Sequence, residues 1–317
     1  MQKKIKILLL AAAVLIGFCF LRDFLVKSLI GTITAHITGA PTRVGGLSLS
    51  IVRQTLKISN LKMYNPKGFP DGILVDIPKV QASADMFALL KGKMHLKQLD
   101  LEIKEIIMVK NKEGKLNVDS LKVVDDQAGG EEKKKPVKQF SLQIDMLGLG
   151  MGRVVSKDYT GGVEPIIKVY DVNLKKSYKN IAGARQLVAL IISEPLKAAG
   201  IQGAKVYGAS MLAGVAVLPV VAAFTLTGKD YAQETFNVSW ERVYDAGLSA
   251  LKKSGVVKSG DKSGGVINAE VDGVQVGLKL KKIAANSTEV TVSARKFILP
   301  RPEVASGVMY RLTEELR

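Results

Sequence analysis

Residues 47–70 read LSLSIVRQTLKISNLKMYNPKGFP, and apolar side chains alternate with polar ones along most of this stretch. Leucine and isoleucine alternate with serine over residues 47–51, and a second alternation follows over residues 56–63. A period of two predicts β-strands that each have one apolar face. The sequence Asn-Pro-Lys-Gly at 65–68 predicts a turn, because proline fixes φ and glycine accepts a positive φ. The opening of the chain body is therefore predicted to be β-structure.

The same kind of pattern continues to about residue 180. A turn is predicted at Glu113-Gly114, a short connection and helix over 117–124, and a solvated loop over the mixed-charge segment 125–138. Further strands are predicted over 79–86, 94–103, 106–110, 140–146 and 166–174. We therefore predict that residues 31–180 form a mostly antiparallel, curved β-sheet body, and that the whole chain belongs to the α+β class.

Residues 181–228 have a different character and are predicted to be an apolar helical segment. Residues 181–199 have helical spacing, which Pro195 is expected to kink or end. The uncharged run Tyr207–Leu226 (YGASMLAGVAVLPVVAAFTL) is long enough to span a membrane. Two interpretations stay open: a full membrane span, or an apolar hairpin that packs on the protein or on a membrane surface.

Residues 229–317 are predicted to form a small α/β domain with the element order βαβββα. A helix is expected to begin after Ser239, a good N-cap, and to stop at Gly255. Asp272-Gly273 predicts a hairpin turn. The predicted strands are 235–238, 265–271, 275–283 and 288–294, and a closing helix is predicted over 303–317.

The first 30 residues are predicted to be a transmembrane anchor followed by an amphipathic helix. Two interpretations of this helix stay open: it lies in the membrane interface, or it packs on its own domain. Lysines flank the start of an uncharged apolar run, residues 7–21. A cleaved signal peptide needs small residues after the run, where this chain has Phe18, Phe20 and Leu21. An uncleaved anchor is therefore favoured over a cleaved signal, with the basic N-terminus in the cytoplasm and the rest exported. The anchor positions are Ile7, Leu10, Val14, Phe18 and Leu21.

The composition argues against the common enzyme classes. One cysteine, Cys19, excludes a disulfide framework and multi-cysteine metal sites, and the two histidines, His36 and His95, are far apart. The motifs of nucleotide-binding loops, serine hydrolases and zinc proteases are missing from the sequence. We expect no enzymatic activity, no cofactor and no metal site.

The chain of 317 residues has a net charge of +17. Such a charge attracts anionic lipid headgroups and nucleic acid alike. Export and an aromatic content of 6% speak against nucleic acid. The lysines of the β-body have two interpretations: they solvate the outer sheet face, or they face lipid headgroups.

Two segments carry a resemblance to a known family: ITGAPTRVGGLSLSIVRQTLKISNLKMYNPKGFP at 37–70 and ADMFALLKGKMHLKQLDLEIKEIIMVKNKEGKLNVDSL at 84–121. With the preceding anchor, residues 1–121 resemble the AsmA-like family of Gram-negative envelope proteins. The resemblance implies an inner-membrane anchor and a β-rich body in the periplasm. Larger members are thought to form β-grooves linked to lipid movement or outer-membrane assembly, and this chain is shorter. In the C-terminal part, a Gly/Ala-rich apolar stretch precedes FNVSWERVYDAGLSALKKSGV at 236–256 and GGVINAEVDGVQVGLKL at 264–280. With these segments, residues 203–317 resemble a family of small uncharacterised envelope domains, often found as lipoproteins.

The expected function is that of a non-enzymatic envelope protein that holds phospholipid acyl chains in a β-groove. Each candidate groove residue also fits an ordinary core position. The alternative is a structural or assembly factor that binds a protein partner of the envelope through the apolar run and the C-terminal domain. The candidate lipid-facing residues are Leu56, Ile58, Val80, Met94, Leu96, Leu101 and Ile103.

Overall fold

The computed structural model describes residues 31, 34–35, 38–50, 53–84, 94–121, 142–200 and 230–317. These residues form two units, each built on one sheet: the N-terminal unit, up to residue 200, and the C-terminal unit, residues 230–317. Strands predominate over helices in both units. The predicted mixed α+β class, made mostly of strands, is confirmed.

The first sheet has six strands in sequential order. The strands are β1 Thr42–Ser50, β2 Thr55–Tyr64, β3 Ile73–Ala84, β4 Met94–Lys110, β5 Leu142–Asp158 and β6 Ile166–Ala182. Neighbouring strands are antiparallel except β4 and β5, which are parallel. The meander predicted from the sequence therefore holds with one exception. The chain between β4 and β5 must return along the length of the sheet, and it includes a short 3-10 helix at Val118–Ser120.

In each central strand of the first sheet, the alternation of core and non-core residues is interrupted once by one extra residue. These interruptions lie side by side in neighbouring strands and so form a row across the sheet. Core residues follow at a spacing of three at Ile77 and Val80 in β3, Ile103 and Ile106 in β4, and Met151 and Val154 in β5. Gly152 lies in this row, where a Cβ would come within 2.7 Å of the Lys104 carbonyl oxygen. The strands shift together, so that Val75 pairs with Ile106 and Ile106 with Val154. Residues 94–103 and 106–110, predicted as separate stretches, are therefore one strand with one continuous apolar face.

Helix α1, Ala184–Ala198, packs on this apolar face of the first sheet. Leu190, Ile192 and Leu196 are buried in the same core as the strands. Pro195 lies in the last turn, and the helix ends at Ala198. The predicted effect of this proline, to kink or end the helix, agrees with the helix ending within the next turn.

The C-terminal unit has a second six-stranded sheet with two helices. Its elements are β7 Tyr231–Phe236, α2 Trp240–Ser254, β8 Val256–Asp261, β9 Val266–Val271, β10 Val274–Ala284, β11 Ser287–Lys296, β12 Leu299–Pro300 and α3 Pro302–Glu315. Both helices pack on the face of the sheet that carries its buried residues. The predicted order βαβββα was wrong in the number of strands, because β8 and β12 were missed. Both are short and show little apolar alternation, with β8 mostly exposed.

Helix α3 also joins the two units. At the end of the first sheet where β4 and β5 finish, the opposite face of this same sheet is also apolar, and Tyr310 packs against that face. Gly307 lies so close to β6 that a Cβ would overlap the carbonyl of Ile167. Arg311, which is 4% exposed, places Nη1 2.6 Å from the Glu164 carboxylate. The C-terminal unit is therefore seated on the first sheet through a buried, tightly fitted helix.

Further ion pairs connect the units at the edge of this contact. Lys157 Nζ lies 2.9 Å from Glu314, and Lys168 Nζ lies 2.8 Å from Asp272. Partly exposed pairs of this kind add little stability singly, but they fix orientation. They are consistent with one defined arrangement of the two units.

Three of the predicted features lie outside the described residues: the anchor over residues 1–30, with its positions Ile7, Leu10, Val14, Phe18 and Leu21, the mixed-charge loop over 125–138, and the apolar run Tyr207–Leu226. Among the helices that the structure describes, none combines the length and the apolar character that a membrane crossing requires.

Candidate lipid-binding face and interdomain cleft

The candidate lipid-facing residues lie together on the first sheet. Ile58, Val80, Leu101 and Ile103 are buried in one core cluster, and Leu56 and Leu96 are half-buried against it. Met94 is half-buried at the start of β4. The structure therefore brings the predicted residues to one region, and it buries four of the seven.

Cross-strand pairing makes these side chains a continuous apolar face. Ile58 pairs with Val80, Val80 with Leu101, and Leu101 with Leu149. Residues directly opposite each other in neighbouring strands point to the same side of a sheet. The face therefore crosses from β2 to β5 without a polar interruption along this row.

In β4 and β5, burial along the face changes from one end to the other, whereas in the outer strand β2 the half-buried Leu61 and Met63 lie at the end opposite Leu56. Ile106 and Val154, beyond the phase shift, are 0% exposed. Leu56, Leu96 and Leu142, at the other end, are only half-buried. We call this second end the open end of the apolar face. Along β4 and β5, solvent or a ligand reaches the face most easily there.

The opposite side of the sheet at the open end is polar. Lys57 pairs with Gln81, and Gln81 pairs with Asp100. In the next row Lys79 pairs with Glu102. Lys57 and Lys79 are exposed on this side, as expected for lysines that solvate an outer sheet face.

A buried polar cluster lies beneath helix α1, between the helix and β6. Lys176 Nζ lies 2.6 Å from the carboxylate of Glu194, whose side chain is 9% exposed. Burial alone would raise the pKa of Glu194, but the hydrogen bond and charge of Lys176 outweigh it and lower the pKa below its usual value. Burial first, and then the Glu194 carboxylate, raise the pKa of the Tyr178 phenol far above its usual value. The cluster thus keeps Glu194 ionised and Tyr178 neutral, which fixes α1 on the sheet.

His95 also has a defined partner. Its Nε2 lies 2.8 Å from one carboxylate oxygen of Asp145, and the imidazole is 28% exposed. The pair joins β4 to β5 near the open end of the apolar face. The sequence gave no sign of this partner.

Two asparagines from the segments that carry the family resemblance meet in the fold. Asn117, 0% exposed, donates from Nδ2 to Oδ1 of Asn65 at 2.8 Å and to the carbonyl of Ile107 at 2.9 Å. Its Oδ1 accepts from the backbone N–H of Val109 at 3.0 Å and of Val118 at 2.9 Å. These residues therefore tie the turn after β2 to the turn after β4, which is a structural role.

A cleft of about 710 Å³ lies between the two units. Glu105, which is 6% exposed, accepts from Nε of Arg153 at 2.8 Å. The Arg153 guanidinium lies 5.2 Å from the ring centre of Tyr310, at cation–π distance. Burial, followed by the Glu105 carboxylate, raises the pKa of the Tyr310 phenol, which therefore stays neutral.

The remaining charges of the cleft are mixed. Lys104 and Arg317 share its walls with Glu234, Glu303 and Glu314. Because both basic and acidic groups line the cleft, its charge does not favour one class of ligand. The cleft marks the contact between the units, which the sequence did not predict. One available signal was the uninterrupted apolar run Ile106–Val109, which is typical of a strand buried on both faces.

Within the ranges that the structure describes, no group of three or more His, Cys, Asp or Glu side chains is arranged to hold a metal ion. Comparison with known proteins adds no relative: no family model matches the chain, and no curated protein matches it.

Proposed function

We propose that this chain is a non-enzymatic, inner-membrane-anchored protein of the cell envelope that holds lipid acyl chains along the apolar face of its first sheet. In this proposal it contributes to lipid transport or outer-membrane assembly. The observation that carries the proposal is the continuous apolar face with its open end. The resemblance of residues 1–121 to AsmA-like proteins supports it, since larger members of that family are linked to lipid movement.

The dimensions of the face suit an acyl chain. Strands β4, β5 and β6 have 17 residues each, which corresponds to roughly 55 Å at the usual rise of a strand. Helix α1 has 15 residues, or roughly 22 Å. The helix is therefore much shorter than the face on which it packs. The half-buried leucines lie at the end of the face where an acyl chain would enter.

The contacts between the units support a position on one side of the membrane for both. Gly307 and Arg311 of the C-terminal unit pack directly on residues of the N-terminal unit. Two surfaces in such contact cannot be separated by a bilayer about 30 Å thick. In the proposal both units therefore lie in the periplasm.

The test uses a photo-reactive amino acid, benzoylphenylalanine, in the full-length chain in its native membrane. It is placed at Leu56 on the apolar face and, as a matched control, at Lys57 on the opposite face of the same strand. After irradiation, mass spectrometry of the purified protein identifies the adducts. We expect phospholipid adducts at position 56 and few at position 57.

Equal lipid yields at both positions would reflect the nearby bilayer alone and would contradict the proposal. So would the absence of lipid adducts at both positions. A single protein adduct at position 56, in place of lipid, would favour the alternative of an assembly factor that binds an envelope protein.

A further inference from the structure

The hairpin between β11 and β12 carries three exposed apolar residues at its tip. Phe297 is 88% exposed, Ile298 is 85% exposed and Leu299 is 66% exposed. They are consecutive, and they are the most exposed group of large apolar side chains in the described residues. A single exposed apolar side chain needs no explanation, but three together at a protruding turn are typical of an interaction site.

The turn itself is built from residues that a turn does not favour. Phe297 and Ile298 are its two central residues, and Phe297 has a φ of 57°. A bulky residue is disfavoured in this left-handed region, which glycine, asparagine or aspartate usually occupies. The hairpin between β9 and β10 in the same sheet shows the usual choice, Asp272-Gly273, with φ values of 53° and 69°. The turn therefore has apolar side chains although its backbone conformation disfavours them. This indicates that the side chains themselves have a role.

Basic residues surround the tip. Arg295 and Lys296 precede it, and Arg301 follows Pro300. All three are exposed, and Arg301 has only a long ion pair of 3.6 Å with Glu303. Apolar side chains at a tip with cations around its base match the layers of an anionic bilayer, where the chains enter the interface and the cations meet the headgroups.

The hairpin is connected to the part of the molecule where the two units meet. Arg295 pairs with Pro300 at the base of the hairpin, and helix α3 starts directly after it. That helix packs on β6 near Ile167, at the same end of the sheet as Thr42 of β1. Strand β1 therefore begins at the end of the first sheet on which the C-terminal unit is seated.

We propose that Phe297, Ile298 and Leu299 form a membrane-docking tip that inserts into the interface of an anionic bilayer, with Arg295, Lys296 and Arg301 on the headgroups. The proposal rests on the membrane location proposed above but not on lipid binding by the first sheet. The tip gives the C-terminal unit its own contact with the bilayer and holds the molecule in one orientation on it.

The experiment places a polarity-sensitive nitrobenzoxadiazole label at Ile298→Cys in the full-length chain with Cys19→Ser. The matched control is Asn286→Cys, in the turn at the other end of β11. The labelled chains are reconstituted into phosphatidylcholine vesicles with or without phosphatidylglycerol, and flotation of each chain with the vesicles is measured first. Quenching by nitroxide-bearing lipids then reports contact with the bilayer.

We expect a blue shift and lipid quenching at position 298 in vesicles with phosphatidylglycerol, weaker effects without it, and water-like emission at position 286. The double substitution Lys296→Glu and Arg301→Glu should reduce the quenching, with the emission of Trp240 in the unlabelled protein confirming that the C-terminal unit is folded.

If the chain floats with the vesicles but the emission is water-like at both positions, the tip does not insert into the bilayer and this proposal is wrong. The acyl-chain proposal would be unaffected. A blue shift at position 298 without lipid quenching would also overturn it, since the label would then be covered by protein. A chain that does not float would remove the membrane premise of both proposals.

Discussion

Gly307→Ala is expected to destabilise the C-terminal unit, although the same change in an exposed helix has the opposite effect. In a helix interior, alanine is favoured over glycine by about 1 kcal/mol. Here the added Cβ would overlap the carbonyl of Ile167 and lie 3.3 Å from Cα of Lys168. These atoms belong to the backbone of β6, which is paired along its length with β5 and cannot yield easily.

The magnitude follows from the competition of these two effects. Overpacking against a rigid neighbour costs about 1–3 kcal/mol. This exceeds the gain in helix propensity, so we expect a net loss of about 1–2 kcal/mol for alanine. Gly307→Val should lose more, because valine is larger and is also disfavoured in helices.

The assay is urea unfolding of the purified full-length chain followed by tryptophan emission. Trp240 is the only tryptophan, and it packs against the core of the C-terminal unit, so the signal reports on that unit. Ser306→Ala, on the same helix but lining the cleft, is the matched control and should be neutral or slightly stabilising. A rise in the unfolding midpoint for Gly307→Ala would show that β6 is not packed against this helix, and the argument for two units on one side of the membrane would fail with it.

Three further predictions concern the cores and the topology. Asn117→Ala should destabilise the N-terminal unit by roughly 2–4 kcal/mol in urea unfolding followed by circular dichroism, which also reports on the strands of that unit, because several buried hydrogen-bonding groups lose their partner. A loss below about 1 kcal/mol would contradict this network. Lys176→Met should destabilise by less than the roughly 3–5 kcal/mol of a fully buried pair, because Glu194 keeps a second, more distant lysine. Folding lowers the pKa of Glu194, so the pair stabilises the protein at pH values above the unfolded pKa of about 4.3, and this stabilisation is lost as the pH falls below that value. Circular dichroism against pH should show the loss in the natural chain but not in the methionine variant. With Cys19 replaced, single cysteines at Lys133 and at Ser263 should both react with a membrane-impermeant thiol reagent once the outer membrane is opened; labelling at Lys133 alone would place the units on opposite sides.

Much of the secondary structure was predictable because single-faced strands leave a clear mark in the sequence. The alternation around Leu56 and Ile58 located β2, and the Asp272-Gly273 turn located the β9–β10 hairpin. The strands were predicted too short where the alternation shifts phase. At Gly152 and at the residues beside it in the neighbouring strands, one extra residue interrupts the period of two. The period is the main local signal that a strand continues, so the prediction stopped there.

The apolar positions of the candidate site were also predictable, since the residues that alternate on one strand must share a face. Their assembly into one surface depended on register. The parallel pairing of β4 with β5 brings Leu101 beside Leu149, and the sequence between these strands contains nothing that specifies a parallel return. The partner of His95 was missed for the same reason, because Asp145 reaches it only through that pairing.

The sequence by itself determined the class of the fold, the one-sided strands at the open end of the first sheet and the amphipathic helix α2, because each follows from the spacing of apolar residues along a short stretch. Only the tertiary structure decided that Gly307 and Arg311 seat the C-terminal unit on β6, and that Phe297–Leu299 stay exposed while equally apolar stretches are buried. The physical reason is that burial is a property of what lies opposite a residue in space. A glycine that permits a close approach and an apolar turn that meets no partner look ordinary until the neighbouring elements are in place.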